Sequence, residues 1–409
     1  MTDKRLSTDA YKGVRDFYPE DAAIQQYMFD VWTHTAESYG YEKYDASILE
    51  PAELYKAKGS RNEEMVNDQT YTFTDRGDRE VTLRPEMTPT VARMVAAKQR
   101  ELTLPLRWYS IPNLFRYERP QKGRLREHWQ LNCDIFGSDD FTADVELIAL
   151  AYDTLINFGV QPDQFGIRIN DRALMTRLYK ALGVDEEKIG DITRLNDRKD
   201  KIDDKEYRQE LKKIVEEGIL VEQIIMMLES SDEQTDVVVG LAELGITNVE
   251  FDKMLARGFD YYTGTIFEFF DATDEKKKAI LGGGRYDNLT ELFGTEKLPG
   301  VGFGLGDVRL RDFLEKLELL PEFSTSYVDV VVIPAEPQNN LAAHKAAVTL
   351  REKYDSVLVD ISTKKLNKKM ADANTRDASY AAVIGDNEVS SGSFSLKNLE
   401  TGEEKLMKL

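Results

Sequence analysis

The stretch LFRYERPQKGRLREHWQLNCDIFG, residues 114–137, is the densest in side chains that could do chemistry. Arg116 carries a permanently charged planar guanidinium whose fork matches phosphate oxygens. Glu118 follows two residues later, which on a strand puts its carboxylate on the same face. An isolated Arg-x-Glu is more often a surface salt bridge. Here it leads into the arginine-rich RPQKGR and then the apolar HWQLNCDIFG, the pattern of a strand, a basic loop and a returning strand. Further on, in GVGFGLGDVRL, Gly302, Gly304 and Gly306 share one strand face and leave nothing to obstruct a flat base. The glycines of LGGGRYD could cradle an anion through backbone N–H groups. They lack the Gly-Lys-Ser/Thr ending of a phosphate-binding P-loop, which excludes that class of nucleotide hydrolase.

These segments need elements to hold them. From Ala22 to Tyr39, Ile24, Met28, Val31, Trp32 and Ala36 recur at helical spacing, and an extended stretch follows near Tyr41. QTYTFTD and REVTLR alternate across a Gly-containing turn as a hairpin does. LRWYSIPNLFRYE and HWQLNCDIFG form a second strand pair. Residues 176–245 are rich in Asp, Glu and Lys and read as a helical insertion. Strand signals return in ARGFDYYTGTIFEFF, where Thr263-Gly264 suits a tight turn, and both glycine-dense segments bring the chain back to the main sheet. After these, YVDVVVIP, SVLVDIS and YAAVIG alternate with helical patterns such as NLAAHKAAVTLREKY. That predicts a small, mostly parallel sheet covered on both faces. Two domains are expected, residues 1–325 and 326–409, the second beginning near Ser326.

At 409 residues and 41% hydrophobic, the chain suits two or three globular units. Its single cysteine, Cys133, excludes an internal disulfide and a cysteine-built zinc site, and reads as a small buried residue beside the site. No apolar run approaches the roughly 20 residues that span a bilayer, and MTDKRLSTDAYKG lacks the apolar core of a secretory signal. A soluble cytoplasmic protein with no membrane partner is expected. The formal net charge of −20 opposes approach to a polyanion, but charge acts locally. Basic residues cluster at Arg116, Arg119, Lys122, Arg124 and Arg126, and again at Lys364, Lys365, Lys368 and Lys369. The lysine cluster alone reads as a solvated helix face.

The Phe-Arg-x-Glu strand, arginine-rich loop and returning strand resemble motif 2 of class II aminoacyl-tRNA synthetases, and RPQKGR is similar to the histidyl branch. GVGFGLGDVRLRDFLE resembles motif 3. ARGFDYY and GGGRYD resemble the two signatures peculiar to histidyl-tRNA synthetases, and TLRPEMTPT the family's amino-group segment. The C-terminal part, with IGDNE its most specific fragment, resembles the anticodon-binding domain shared by histidyl, threonyl, prolyl and glycyl enzymes. The likeness covers nearly the whole chain and is weakest in the helical insertion.

This resemblance implies an α/β fold, an α+β catalytic domain whose antiparallel sheet is flanked by helices, with a helical insertion and a C-terminal α/β anticodon-binding domain. It implies ATP-dependent activation of L-histidine to the adenylate and transfer to the 3′ end of tRNA(His). Arg116 would hold the α-phosphate of ATP, with Arg257 facing it from the other side, and Glu118 would accept from the adenine amino group. His128 would stack on adenine opposite Arg309. Glu86, assisted by Thr88, would hold the histidine ammonium. Tyr262 and Tyr286, with Tyr261 beside them, would reach the imidazole, Gln130 the polar end of the substrate, and Asp134 a ring nitrogen. Arg119 and Gln121 would meet the extra 5′ guanosine of the tRNA. ATP brings Mg2+, whose ligands no cluster in the sequence declares. A homodimer is implied through the motif 1 strand near YDASILEP.

The sequence departs from the family pattern at Ser47, where a proline is usual, at Met87, where glycine is common, and at Val308, where a glutamate usually precedes the arginine. Two other functions share part of this pattern. One is the non-catalytic histidyl-synthetase-like regulatory subunit of histidine biosynthesis, which lacks the anticodon domain and the first signature's arginine. The other is a class II synthetase of different specificity. The chain keeps Arg257, Arg116, Glu118, Arg309 and a C-terminal domain, against the first, and both histidyl signatures, against the second.

Overall fold

The computed structural model describes residues 6–57, 69–119, 123–199, 202–230, 235–256, 261–322 and 328–409. They divide into two units, one spanning residues up to Pro321 apart from Pro19–Ala23, the other Pro19–Ala23 with the residues from Glu322 onward.

The strands of the first unit are β1 (Glu42–Lys43), β2 (Leu49–Pro51), β3 (Tyr71–Thr74), β4 (Glu80–Leu83), β5 (Leu106–Ser110), β6 (Asn113–Phe115), β7 (Glu127–Phe136), β8 (Phe165–Asp171), β9 (Val249–Phe251), β10 (Thr265–Asp271), β11 (Ala279–Arg285) and β12 (Gly300–Gly306). The main sheet runs β1-β5-β7-β12-β11-β10-β8-β9, with β6 paired to the outer part of β7. Only β1–β5 and β8–β9 are parallel among these pairs. β2, β4 and β3 make a separate three-stranded sheet that contains the expected hairpin.

Period-two alternation decides what each face of the main sheet does. Leu131, Cys133 and Ile135 of β7, Val301, Phe303 and Leu305 of β12, and Phe267 and Phe269 of β10 enter one apolar core. That core also takes Leu147, Ile148, Leu150 and Ala151 of the helix Phe141–Asn157, and Met28, Trp32 and Ala36 of the helix Pro19–Ser38. Asp140 starts the Phe141–Asn157 helix by accepting from the Thr142 N–H. With helices over one face, the intervening residues Gln130, Asn132 and Asp134, and Gly302, Gly304 and Gly306, occupy the other.

Between β8 and β9 the helical region has two allegiances. The helices Arg172–Ala181, Glu186–Asn196, Asp204–Val215 and Gly218–Glu229 share a core of their own around Tyr179, Ile192, Leu211 and Ile224. The helix Asp236–Glu243 instead sends Val237 and Leu241 into the main core, with Gly240 close against Val145. Thr263-Gly264, expected as a tight turn, lies between β9 and β10. It leads into β10, whose hairpin partner β11 comes after it.

The second unit holds β13 (Val330–Pro334), β14 (Val357–Val359), β15 (Tyr380–Ile384), β16 (Ser393–Asn398) and β17 (Glu404–Lys408), in the order β14-β13-β15-β16-β17. Both faces are covered, since Val330 and Val332 meet the helix Asn340–Arg351 while Val331 and Ile333 share a core with Ala373 of the helix Leu366–Thr375. The parallel part stops at β14, β13 and β15. β16 and β17 add an antiparallel hairpin that polar, Ser- and Lys-rich sequence conceals. The lysine cluster is not wholly a solvated face either. Lys369 is buried and its ammonium donates to the carbonyls of Asp360 at 3.2 Å and Pro334 at 3.3 Å.

Candidate active site

The open face of the sheet carries a cavity of about 810 Å³ floored by Gly282, Gly302, Gly304 and Gly306. Gly302 and Gly304 of β12 have a steric reason. A Cβ on Gly302 would stand 2.5 Å from the Tyr286 hydroxyl and against the Asp134 carboxylate, and one on Gly304 would occupy the space of the Gln130 amide. Small residues here keep room for neighbouring polar side chains as well as for a ligand.

Glu86, Thr88, Arg116, Glu118, His128, Gln130, Tyr261, Tyr262, Tyr286 and Arg309 all line this one cavity. The strand expected to carry Arg116 and Glu118 ends earlier, at Phe115. Arg116 N–H donates to the Arg126 carbonyl at 2.9 Å, and Glu118 N–H turns back to the Arg116 carbonyl at 2.7 Å, a three-residue turn in place of strand alternation. The two side chains meet the same cavity through that turn. Arg116 is anchored by its Nε, which donates to the Pro85 carbonyl at 2.9 Å. Glu118 lies 3.6 Å from the Arg124 guanidinium across the loop. Arg309 reaches the same loop, where a side chain on Gly123 would meet its guanidinium at 2.5–2.6 Å.

The opposite end is built of buried carboxyls and phenols. Glu86 is 4% exposed and its Oε2 accepts from the Tyr261 hydroxyl at 3.0 Å. Its Oε1 is buried with no hydrogen-bond partner among the described residues. Burial pushes the Glu86 carboxyl up to about 7, against the opposing pull of Arg116 and Tyr261. Asp134, equally enclosed, accepts from the Tyr286 hydroxyl, and burial also brings its carboxyl to about 7. The rings of Tyr261, Tyr262 and Tyr286 contact edge to face, with Tyr261 5.1 Å from Tyr262 and 5.9 Å from Tyr286. Met87 joins them in an apolar cluster with Tyr44 and Phe136. Two acids near neutrality, one with an unpartnered oxygen, call for a ligand that brings a cation and an N–H donor.

His128, on β7, lines the same cavity. Burial, then the nearby cations Arg116 and Arg15, depress its imidazole to about 3, so the ring is neutral at ordinary pH. A neutral flat ring lining the same cavity as a guanidinium suits an aromatic base.

Arg119 is exposed and does not line the cavity. Arg257 and Gln121 lie outside the described residues. Several lining residues had no assigned role in the sequence, among them Gln69, Asn132 and Arg124; Asn132 was findable as the alternate β7 position between Gln130 and Asp134. Arg285, central in GGGRYD, turns the other way. It is buried in an ion pair with Asp144 and donates to the Ser138 carbonyl at 2.9 Å, tying β11 to the Phe141–Asn157 helix. Among the described residues no group of three His, Cys, Asp or Glu side chains could hold a metal ion.

A family model for histidyl-tRNA synthetase matches residues 13–309, and one for an anticodon binding domain matches residues 329–409. The chain is 41% identical to a histidine–tRNA ligase of Leptospira biflexa serovar Patoc, over 98% of this chain and 95% of that protein. It is 34% identical to the chloroplastic/mitochondrial histidine–tRNA ligase of Arabidopsis thaliana, over 99% of this chain and 86% of that protein. In fold it is similar to the crystal structure of histidyl-tRNA synthetase from a Nostoc species, with a TM-score of 0.75 over 99% of this chain and 97% of that one at 24% identity. With the family model covering the sheet, its cavity and the glycine strands, and relatives matched nearly end to end, the chain belongs to the histidyl-tRNA synthetase family.

Proposed function

We propose that this protein activates L-histidine with ATP and transfers it to tRNA(His), and that the cavity on the open sheet face is where both steps occur. The observation that carries the reading is the buried Oε1 of Glu86, without a hydrogen-bond partner among the described residues, in a cavity also lined by Tyr286, whose hydroxyl donates to Asp134. Histidine presents an ammonium for the first and a ring with one donor and one acceptor nitrogen for the second. Glu86, with Thr88 and Tyr261 beside it, takes the ammonium. Asp134 accepts a ring N–H, Tyr262 and Tyr286 enclose the ring, and Gln130 meets the polar end of the substrate.

ATP occupies the loop end. Arg116 holds the α-phosphate, Glu118 accepts from the adenine amino group, and the base lies between neutral His128 and Arg309. A histidine carboxylate oxygen attacks the α-phosphorus, the bond to the bridging oxygen breaks, and pyrophosphate leaves. A fixed guanidinium stabilises charge growing on the equatorial oxygens without having to reorganise. Arg257 is the second such donor in this reading. The 3′-terminal ribose hydroxyl of the tRNA then attacks the adenylate carbonyl and releases AMP. Magnesium enters as part of the MgATP substrate, consistent with an ion that keeps phosphate and water ligands and takes only one or two carboxylates from the protein. Arg119 and Gln121 face the acceptor end of the tRNA, the C-terminal unit reads the anticodon, and two copies pair through the motif 1 strand. No helix among the described residues is long and apolar enough to cross a membrane, and the reaction belongs to the cytoplasm in this reading.

Amino-acid-dependent ATP–pyrophosphate exchange, run with each of the twenty amino acids and no tRNA, tests this directly. Exchange with histidine alone is expected. No exchange from folded protein would move the reading to the non-catalytic regulatory subunit, and exchange with another amino acid would overturn the specificity.

A further inference from the structure

The family position for a glutamate just before the motif 3 arginine holds Val308, and the nearest carboxylate is one residue earlier, at Asp307. Asp307 is the first residue of the helix Asp307–Lys316, which presents Arg309, and is 3% exposed. Its Oδ1 accepts the Trp129 backbone N–H at 3.0 Å. Trp129 separates His128 from Gln130 on β7, so one carboxylate joins the strand bearing His128 to the helix bearing Arg309. Its other oxygen, Oδ2, accepts from the Arg15 guanidinium at 2.6 Å. Arg15 comes from the segment preceding the first helix, and its guanidinium lies 5.0 Å from the Phe17 ring. Phe17 in turn meets the Trp129 ring edge to face at 5.3 Å. The same segment is tied to the other end of the loop, where Arg126 N–H donates to the Gly13 carbonyl at 2.7 Å.

An enclosed carboxylate without a cation would take a proton or draw in water, and either would loosen its hold on Trp129. We infer that Arg15 is a positioning residue for ATP, acting through Asp307 to fix the spacing between His128 and Arg309 on either side of the adenine. The inference rests on the reading of those two side chains as the adenine clamp. In this chain the N-terminal segment thus takes over a brace that sequence alone would not attach to the nucleotide site.

A buried pair that merely holds the fold together would give a different result from a brace, because only the brace separates the two substrates. Histidine-dependent pyrophosphate exchange with Arg15→Ala is expected to show the KM for ATP raised by about tenfold, the scale of a lost charged hydrogen bond, with the KM for histidine unchanged. Asp307→Asn keeps an oxygen for the Trp129 N–H while removing the charge, so it folds if Arg15→Ala does not, and the same selective rise is expected. The double variant should be no worse than the poorer single one, since the two residues act as one unit. Arg15→Lys should recover part of the ATP affinity. Rises in both KM values together, a lower melting temperature with both KM values unchanged, or additive losses would each overturn the inference. Arg309→Ala separates this failure from that of the clamp. A raised ATP KM in Arg309→Ala but not in Arg15→Ala or Asp307→Asn refutes the role of Arg15 alone, whereas no change in Arg309→Ala removes the clamp and this inference with it.

Discussion

Glu86 is held in a protonation balance that its ligand would reverse. Enclosure raises its carboxyl from the ordinary 4.5 to about 7, so between those values the folded, ligand-free protein keeps a proton that the unfolded chain has released. The folded state then binds more protons than the unfolded one, and stability falls as pH rises through that window. Glu86→Gln removes this share of the slope while the similar share of Asp134 remains. Melting temperatures measured without ligand from about pH 5 to about pH 7 should therefore fall less steeply in Glu86→Gln than in the natural protein. An unchanged slope would show that Glu86 is ionised in the empty cavity. The variant should also bind histidine more weakly, because a neutral amide cannot balance an ammonium. Residue types at this scale were legible: Glu86 and Asp134 could both be named from the motif segments that hold them. The unpartnered Oε1 and the near-neutral carboxyls were not, because both are consequences of enclosure by residues far apart in the chain.

At the scale of elements, the β12 glycines make a strand that must stay bare on one face. A methyl group at Gly302 would press on both Tyr286 and Asp134. Overpacking of this kind typically costs about 1–3 kcal/mol, and here it would fall on the pair proposed to meet the imidazole. Gly302→Ala is expected to raise the KM for histidine by about tenfold or more in pyrophosphate exchange, with the KM for ATP less affected. Equal effects on both substrates would place the imidazole elsewhere. Arg285 offers the contrasting case. Both it and Asp144 are enclosed, and removing one partner of a buried ion pair costs about 3–5 kcal/mol by stranding the other. Arg285→Ala should lower the melting temperature markedly, and residual folded enzyme should retain its substrate KM values. A stable variant with altered KM would give Arg285 a role at the site. Sequence periodicity found the strands that carry these residues but extended one too far: hydrogen bonding ends β6 at Phe115, and a tight turn, not alternation, brings Glu118 to the cavity with Arg116.

The whole molecule divides by cores. Residues of the C-terminal unit fill two apolar layers of their own, around Val330 and Val332 on one face of β13 and Val331 and Ile333 on the other. The cavity draws its lining from residues 69–309. A chain ended after Glu322 is therefore expected to retain histidine-dependent pyrophosphate exchange to within a few fold, while the KM for tRNA in charging rises by about tenfold or more, as when several phosphate and base contacts are lost. Unchanged charging would refute the anticodon-reading role of that unit. Loss of exchange by a folded truncated protein would show that activation depends on it. The helical region shows how far pattern reaches at this scale. Its composition marks it off as one block, yet the helix Asp236–Glu243 belongs to the main core because Val237 and Leu241 find their partners there.

Local chemistry explains what could be read from the chain itself. Alternation, helical spacing, glycine placement and the motif segments are properties of neighbouring residues, and they carried the sheet, the helices, the family and ten of the residues now lining one cavity. Tertiary structure decided whatever depends on meeting across the sequence. Arg285 is a strut although it sits in a signature, Lys369 is buried although it sits in a basic run, and Arg15 reaches Asp307 across nearly the full length of the catalytic unit. In each case charge and residue type are visible in the sequence, while burial and partner, which set the energy of a charged group, exist only once the chain has folded.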